Sequence, residues 1–229
     1  MGSEVKLVER DLVVFREIDR WRVCLGRHLK ELAGFEGQRA CDRRLRKLID
    51  TGYIERKKVL YGVPGIYRNT NQVKLVADII GGVQKIRVEQ VKHDIAVLDI
   101  AIFVQKKASI PFVDMITEKQ LHSMDGFGKR KHRPDFIYPK NRQMYCVEVE
   151  FSLKSKDRFE DNMKQNFLEY DRQIWVVPDI EYRIIHTLEE NQARYPNIHI
   201  LKLSEVQNNE FFYRSCLESV QTNTTTQLW

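Results

Sequence analysis

Apolar residues recur every three or four positions in the first third of the chain, and this spacing predicts three helices. The first covers residues 11–24, with one apolar stripe made of Leu12, Phe15, Ile18 and Trp21. The second is predicted over 25–33 and the third over 37–50. A glycine follows each of the last two, as is usual just after a helix.

A hairpin pattern follows the third helix. Residues 53–60 predict a strand, 62–65 a turn and 66–68 the start of a return strand. Three short helices and a hairpin are the layout of a winged helix-turn-helix, which we assign to residues 1–75. A further helix is predicted over 69–80, and residues 76–86 are taken as a linker.

The remaining pattern alternates between helices and strands and predicts an α/β (α+β) domain over residues 87–220, with a disordered end at 221–229. The helix and strand order is α-β-β-β-α-β-α-β around a central sheet. The predicted elements are a helix at 88–105, strands at 113–118, 133–138 and 144–151, a helix at 155–169, a strand at 173–177, a helix at 181–195 and a strand at 198–203.

Positive charge is concentrated in the first third. Residues 1–75 hold 17 Lys and Arg against 10 Asp and Glu, whereas the rest of the chain is close to neutral. This distribution favours a polyanion-binding module, with the third helix in a DNA groove and the hairpin on the phosphate backbone. The predicted DNA contacts are Gln38, Arg39, Arg43, Arg44 and Lys47 on the helix, and Arg56, Lys57, Lys58 and Arg68 on the hairpin. The alternative is a solvated helix face or a protein-interaction module.

Acidic residues stand at unusual positions in two predicted strands. Glu148 and Glu150 share one face of strand 144–151, and Asp135 begins the preceding strand. Buried carboxylates are costly unless they are paired, and three together would suit Mg²⁺ or Mn²⁺. Lys154, just past the strand, could then stabilise charge developing on a phosphate. The alternative is a solvated sheet face on which both glutamates pair with basic side chains.

A basic loop leads directly to Asp135. It contains Lys129, Arg130 and Lys131, and its position favours a role in holding DNA at the acidic site. A solvated loop is the alternative interpretation. The loop follows Gly126 and Gly128 but lacks the Gly-Lys-Ser/Thr ending of a phosphate-binding loop.

Other classes of protein are disfavoured by what the chain lacks. The four cysteines form no Cys-x-x-Cys pair, as expected of buried thiols in a reducing cytoplasm. Apolar stretches stay well short of the roughly 20 residues that cross a bilayer, and residues 1–6 do not resemble a secretion signal. The six histidines include no His-x-His pair, which argues against the HUH class of relaxases.

The acidic motif resembles that of the PD-(D/E)XK nuclease superfamily, which has an αβββαβ core and includes many restriction endonucleases. The matching residues are Pro134-Asp135 and Glu148-Val149-Glu150, with Glu150 standing where Lys is usual. Over residues 7–203 the chain also resembles the replication-relaxation family of bacterial mobile elements, which includes MOBC-type plasmid relaxases. The stretches that carry this resemblance are 9–12, 43–48, 52–54, 67–68, 93–99, 117–118, 133–135 and 148–155.

This resemblance implies a cytoplasmic, plasmid-associated DNA endonuclease that uses a divalent metal to nick one strand at a transfer origin. Asp135, Glu148 and Glu150 would be the metal-binding acids and Lys154 an accessory lysine. His93, Asp94 and Glu118 would approach the same site, although His93 is equally well explained as a core-edge histidine. The implied partners are double-stranded and nicked origin DNA, relaxosome or coupling proteins and a second copy of the chain, with no membrane.

Two other functions stay open on the sequence. The departure from Lys at Glu150 allows a non-catalytic DNA-binding accessory or replication protein with a nuclease-like scaffold. A restriction-type enzyme that cuts both strands is the other alternative, and it would need two active sites.

Overall fold

The computed structural model describes residues 5–77, 79, 86–126, 131–152 and 155–207. Within them the chain is a mixed α and β protein with eight α-helices and two sheets. The described residues form two compact units, the first ending at residue 102 and the second beginning at residue 103. Several predicted features lie outside the described residues. They are the predicted disordered end at 221–229, the greater part of the predicted linker, and Lys129, Arg130 and Lys154.

The first unit begins with three helices and a two-stranded antiparallel hairpin. The helices are α1 (Glu9–Trp21), α2 (Gly26–Leu32) and α3 (Gln38–Asp50), and the strands are β1 (Ile54–Lys57) and β2 (Ile66–Asn69). The core is built from the apolar stripes of the helices. Its fully buried side chains include Val14, Phe15, Leu29, Leu45 and Leu48.

The hairpin is joined to the helices by backbone hydrogen bonds. The Tyr67 N–H in β2 donates to the carbonyl of Cys24 at 2.9 Å, which adds a bridge from the segment between α1 and α2. The predicted helix over 69–80 was wrong in type for the described residues 69–77 and 79, where the structure has a short 3₁₀ helix at Asn71–Leu75. Val73 is its sole buried residue, so little apolar packing supports a longer helix there.

Helix α4 (Val91–Ala108) begins in the first unit and continues past the division between the units. Its residues Val91 and Ile95 pack in one buried cluster with Val23, Leu25 and Ile66. The structure therefore groups residues 91–102 with the three helices, whereas the sequence places the domain boundary at 76–86.

The second unit is a five-stranded sheet with the strand order β3-β4-β5-β6-β7. Its first three strands are antiparallel neighbours, and β5, β6 and β7 are parallel. The strands are β3 (Ile116–Thr117), β4 (Phe136–Lys140), β5 (Gln143–Val149), β6 (Arg172–Val177) and β7 (Ile198–Lys202). The helices between and after them are α5 (Glu118–Met124), α6 (Lys156–Glu169), α7 (Tyr182–Gln192) and α8 (Leu203–Gln207).

Strand β5 is central because it joins the antiparallel and parallel halves of the sheet. Its partner β4 aligns Phe136 with Val147, and its partner β6 aligns Trp175 with Glu148. Helices α6 and α7 cover a core around Trp175 and Met163. The predicted strand at 113–118 is shorter in the structure, since residues 112–114 form a 3₁₀ helix and only 116–117 pair with β4.

Candidate functional site

Asp135 lies immediately before β4, where its carboxylate is held against β5. The Val149 N–H donates to Asp135 Oδ2 at 2.7 Å. The backbone carbonyl of Asp135 accepts a hydrogen bond from the Glu118 N–H at 2.8 Å. These bonds attach the Asp135 carboxylate to β5 and its backbone to the start of α5.

Glu148 is a buried carboxylate near the end of β5, with only 8% of the residue exposed. Its Oε1 accepts hydrogen bonds from His132 Nε2 at 2.6 Å and from Asn166 Nδ2 at 2.8 Å. Burial raises the pKa of Glu148; the hydrogen bond from His132 opposes this rise, and the negative charge of Asp135 adds to it. The two acids therefore lie close enough to influence each other electrostatically.

His132 belongs to this site, although the sequence did not assign it there. Burial alone would lower the pKa of His132, but the hydrogen bond with Glu148 and the negative charges of Glu148, Asp135 and Glu118 raise it above its ordinary value. The available signal was its place three residues before Asp135, at the end of the basic loop. Sequence reasoning missed Asn166 as well, since a polar residue within an amphipathic helix has no distinguishing pattern.

The other predicted site residues are divided between the two units. Glu150 follows β5 and is half-buried; its N–H donates to the Val176 carbonyl at 3.0 Å, and its Oε1 accepts from the Ser152 N–H at 3.4 Å. Glu118 opens α5 and pairs with His122 at 3.4 Å. His93 and Asp94 lie in the first unit, at the start of α4, with 3.4 Å between His93 Nδ1 and Asp94 Oδ1.

The donor chemistry of the acidic pair fits Mg²⁺ or Mn²⁺ in part. Asp135 and Glu148 offer the hard carboxylate oxygens that these ions prefer. Within the described residues, however, no group of three or more His, Cys, Asp or Glu side chains is arranged to hold a metal ion. Both hydrogen bonds to Glu148 end on Oε1, so a metal bound here would use its Oε2 and would need ligands in addition to this pair.

Loop residues next to Asp135 are anchored by ion pairs. Arg133 joins Asp125 at the end of α5 to Glu169 at the end of α6, with 2.8 Å between its Nη1 and Glu169 Oε2. Lys131 also pairs with Glu169. These ion pairs attach Lys131 and Arg133, at the end of the predicted DNA-holding loop, to the ends of α5 and α6.

The predicted DNA contacts on α3 fall into two groups. Arg39, Arg43 and Lys47 are exposed, as a groove-reading face requires. Arg44 turns inward, where its Nε donates to the fully buried Asp11 at 2.7 Å. Gln38 is exposed and donates to Asp42 at 2.8 Å.

The hairpin carries the remaining predicted contacts. Lys57 and Arg68 both pair with Glu55, at 3.2 and 3.3 Å. The Arg56 guanidinium lies 5.6 Å from the centre of the Tyr67 ring, and Lys58 Nζ lies 5.8 Å from that of Tyr61. All four basic residues thus have a neighbour on the hairpin, and three of them are exposed.

Comparison of the chain with protein-family models, with curated proteins and with solved structures found no match. Among the helices of the described residues, none has the length and apolar character needed to cross a membrane.

Proposed function

We propose that this protein is a divalent-metal-dependent DNA endonuclease that nicks one strand at a specific site, as the resemblance to MOBC-type relaxases implies. The observation that carries the proposal is the position of Asp135 near the buried Glu148, at the end of the β4–β5 pair opposite the turn that joins the two strands. A buried carboxylate beside a second acid is costly for stability, and such costs are typical of functional sites.

The sheet of the second unit supports this proposal. The strand order is the one expected of a PD-(D/E)XK core: β3, β4 and β5 are antiparallel neighbours, and β6 follows after a helix and is parallel to β5. In such a core the acids lie at the start of the second strand and within the third. Asp135 precedes β4 and Glu148 lies within β5.

The first unit supports a role on DNA. Three helices followed by a hairpin, with a bridge from Cys24 to Tyr67, are the arrangement expected of a winged helix. The exposed basic face of α3 would read the major groove of double-stranded DNA, and the hairpin would contact phosphates.

Some residues of the acidic site would bind the metal, and others would orient the metal ligands. Asp135 and Glu148 would provide the metal ligands, with Glu150 and Lys154 as the further acidic and basic groups. A bound Mg²⁺ or Mn²⁺ would polarise the phosphodiester and lower the pKa of an attacking water. His132 and Asn166 would orient the Glu148 carboxylate through the hydrogen bonds that they already make to it.

A nicking assay tests this function. Supercoiled plasmid carrying the origin region of the protein's own element is incubated with the wild type, Asp135→Asn or Glu148→Gln, each with Mg²⁺, Mn²⁺ or EDTA. We expect metal-dependent open circles from the wild type. Both variants should lose at least about a hundredfold in rate, because a metal's transition-state stabilisation amounts to several kcal/mol, yet both should keep DNA binding in a gel-shift assay.

The matched control is Asp161→Asn, which removes the charge of an exposed acid on α6 of the same unit. It should cut like the wild type. Linear product in place of open circles would favour the restriction-type alternative. Cutting that persists in both acidic-site variants would show that Asp135 and Glu148 take no part in cleavage.

A second candidate function is a DNA-binding accessory protein in which the acidic pair is structural. The observation in its favour is that Glu148 Oε1 already accepts hydrogen bonds from His132 and Asn166. DNA binding without cutting under any metal, together with no saturable Mn²⁺ binding, would support this alternative.

A further inference from the structure

A cavity of about 440 Å³ opens in the first unit between α2, α3 and the hairpin. This volume lies within the range of small-molecule binding sites, about 300–1,000 Å³. Part of its lining is apolar, with Leu25, Ile49, Pro64 and Tyr67. An apolar surface of this kind suits a planar ring better than it suits an inorganic ion.

The polar lining of the cavity is mainly cationic. Arg27, Arg46 and Arg56 line it, against the single acid Asp42. Arg27 binds Asp99 through two hydrogen bonds, so the charge available to a ligand comes chiefly from Arg46 and Arg56. Guanidinium groups present paired N–H donors that match the oxygens of a phosphate.

The Arg56 side chain is exposed but lies against the hairpin. Its guanidinium lies over the Tyr67 ring, and its side chain crosses Gly65 so closely that a Cβ there would be 2.8 Å from Arg56 Nε and 2.9 Å from Cγ. Only a glycine at position 65 leaves room for this path. A pre-ordered arginine loses less conformational entropy when it binds an anion.

We propose that this cavity binds a nucleotide, with the phosphate on Arg46 and Arg56 and the base against the apolar lining. Gln38 and Asp42, which also line the cavity, supply hydrogen-bonding groups for the edge of the base. The ligand is a free nucleotide, because the bases of a duplex stay stacked within it and cannot lie against the apolar lining. This inference does not rest on the endonuclease function, because every lining residue belongs to the first unit.

Titration of the full chain with deoxyadenosine monophosphate, with inorganic phosphate and with duplex DNA tests the proposal. The variants are Arg46→Ala, Arg56→Ala and Gly65→Ala, and the last moves Arg56 without changing the charge. The matched control is Arg16→Ala, an exposed arginine on α1 that pairs with Glu9. Circular dichroism establishes that each variant is folded.

We expect the nucleotide to bind more tightly than inorganic phosphate. Each arginine variant should weaken nucleotide binding about tenfold or more, the loss expected for one charge-assisted hydrogen bond. Gly65→Ala should weaken it as well, whereas Arg16→Ala should not. Retention of the nucleotide in the presence of duplex DNA supports the proposal, whereas displacement by duplex DNA overturns it in favour of backbone-phosphate binding by Arg46 and Arg56.

A chain that binds duplex DNA but not the nucleotide overturns the proposal, because stacked bases cannot lie against the apolar lining and DNA binding is already explained by the basic surface. The proposal is overturned if Gly65→Ala and both arginine variants bind the nucleotide and DNA no differently from Arg16→Ala. The nicking assay reports separately on Asp135 and Glu148, so the failure of one proposal is distinguishable from the failure of the other.

Discussion

Two carboxylates of the first unit, Asp11 and Asp99, are almost completely buried, and each is bound by an arginine. Asp11 binds Arg44 of α3, and Asp99 of α4 binds Arg27 and the fully buried His28 of α2. Removing one partner of such a pair leaves an uncompensated charge in the interior. These arginines are therefore better explained by the packing of helices than by contact with DNA.

Arg44→Ala should destabilise the first unit by about 3 kcal/mol, because the Asp11 carboxylate would lose both of its bonds to the guanidinium while staying buried. The measurement is urea unfolding followed by hydrogen exchange of the α1 and α3 amides. Arg43→Ala, which removes an exposed arginine from the same helix, should cost less than about 0.5 kcal/mol. Equal losses in the two variants would show that the ion pair adds no stability.

Helix α5 is a short element whose start determines part of the candidate site. Thr117 caps it, with its Oγ1 accepting from the Gln120 N–H at 3.4 Å, while the Thr117 N–H donates to Gln120 Oε1 at 3.0 Å. The next residue, Glu118, donates its N–H to the Asp135 carbonyl. A capping box thus lies one residue from the backbone bond that positions Asp135.

Thr117→Ala should weaken α5 by about 1 kcal/mol through the loss of its capping hydroxyl. Faster hydrogen exchange of the α5 amides would report the change, and a lower nicking rate should accompany it if the helix start holds Asp135 in place. Thr117→Ser keeps the hydroxyl and should leave α5 close to the wild type. Matching exchange rates for Ala and Ser would mean that the cap does not stabilise the helix.

Over the whole molecule, the excess of basic residues and the candidate acidic site lie in different parts of the chain. The basic excess lies within residues 1–75, whereas Asp135, Glu148 and His132 lie in the second unit. Removal of one phosphate contact lowers the affinity for every DNA sequence alike, while removal of a base contact lowers discrimination between sequences. The exposed positions of Arg43 and Lys57 make the two effects separable.

Lys57→Ala should weaken binding to all duplexes and reduce the slope of log affinity against log salt by about 1. Arg43→Ala should instead narrow the difference between specific and non-specific duplexes. Both are measured by fluorescence anisotropy at several salt concentrations, with Arg16→Ala as the charge-matched control. Unchanged discrimination in Arg43→Ala would exclude α3 as the reading helix.

Local patterns in the chain predicted most of the elements, because helix and strand periodicity depends on neighbouring residues. Helices α1 to α4, the hairpin and strands β4 to β7 were all predicted within a few residues of their bounds. Helix α5 was missed, since its seven residues are too few for a clear apolar period, although Thr117 and Gln120 already spelled a capping box. The α-helix predicted over 69–80, after the hairpin, was the main error, because residues 71–75 form a 3₁₀ helix instead.

For the site, the sequence by itself determined which acids stand on neighbouring strands and where the basic charge is concentrated. Only the tertiary structure decided which charged groups meet: Arg44 with Asp11, 33 residues away, and His132 with Glu148, 16 residues away. Such contacts depend on how separate elements pack, and no local spacing encodes them. The same packing turned Arg44 from a predicted DNA contact inward, and it brought His132 and Asn166 to the carboxylate of Glu148.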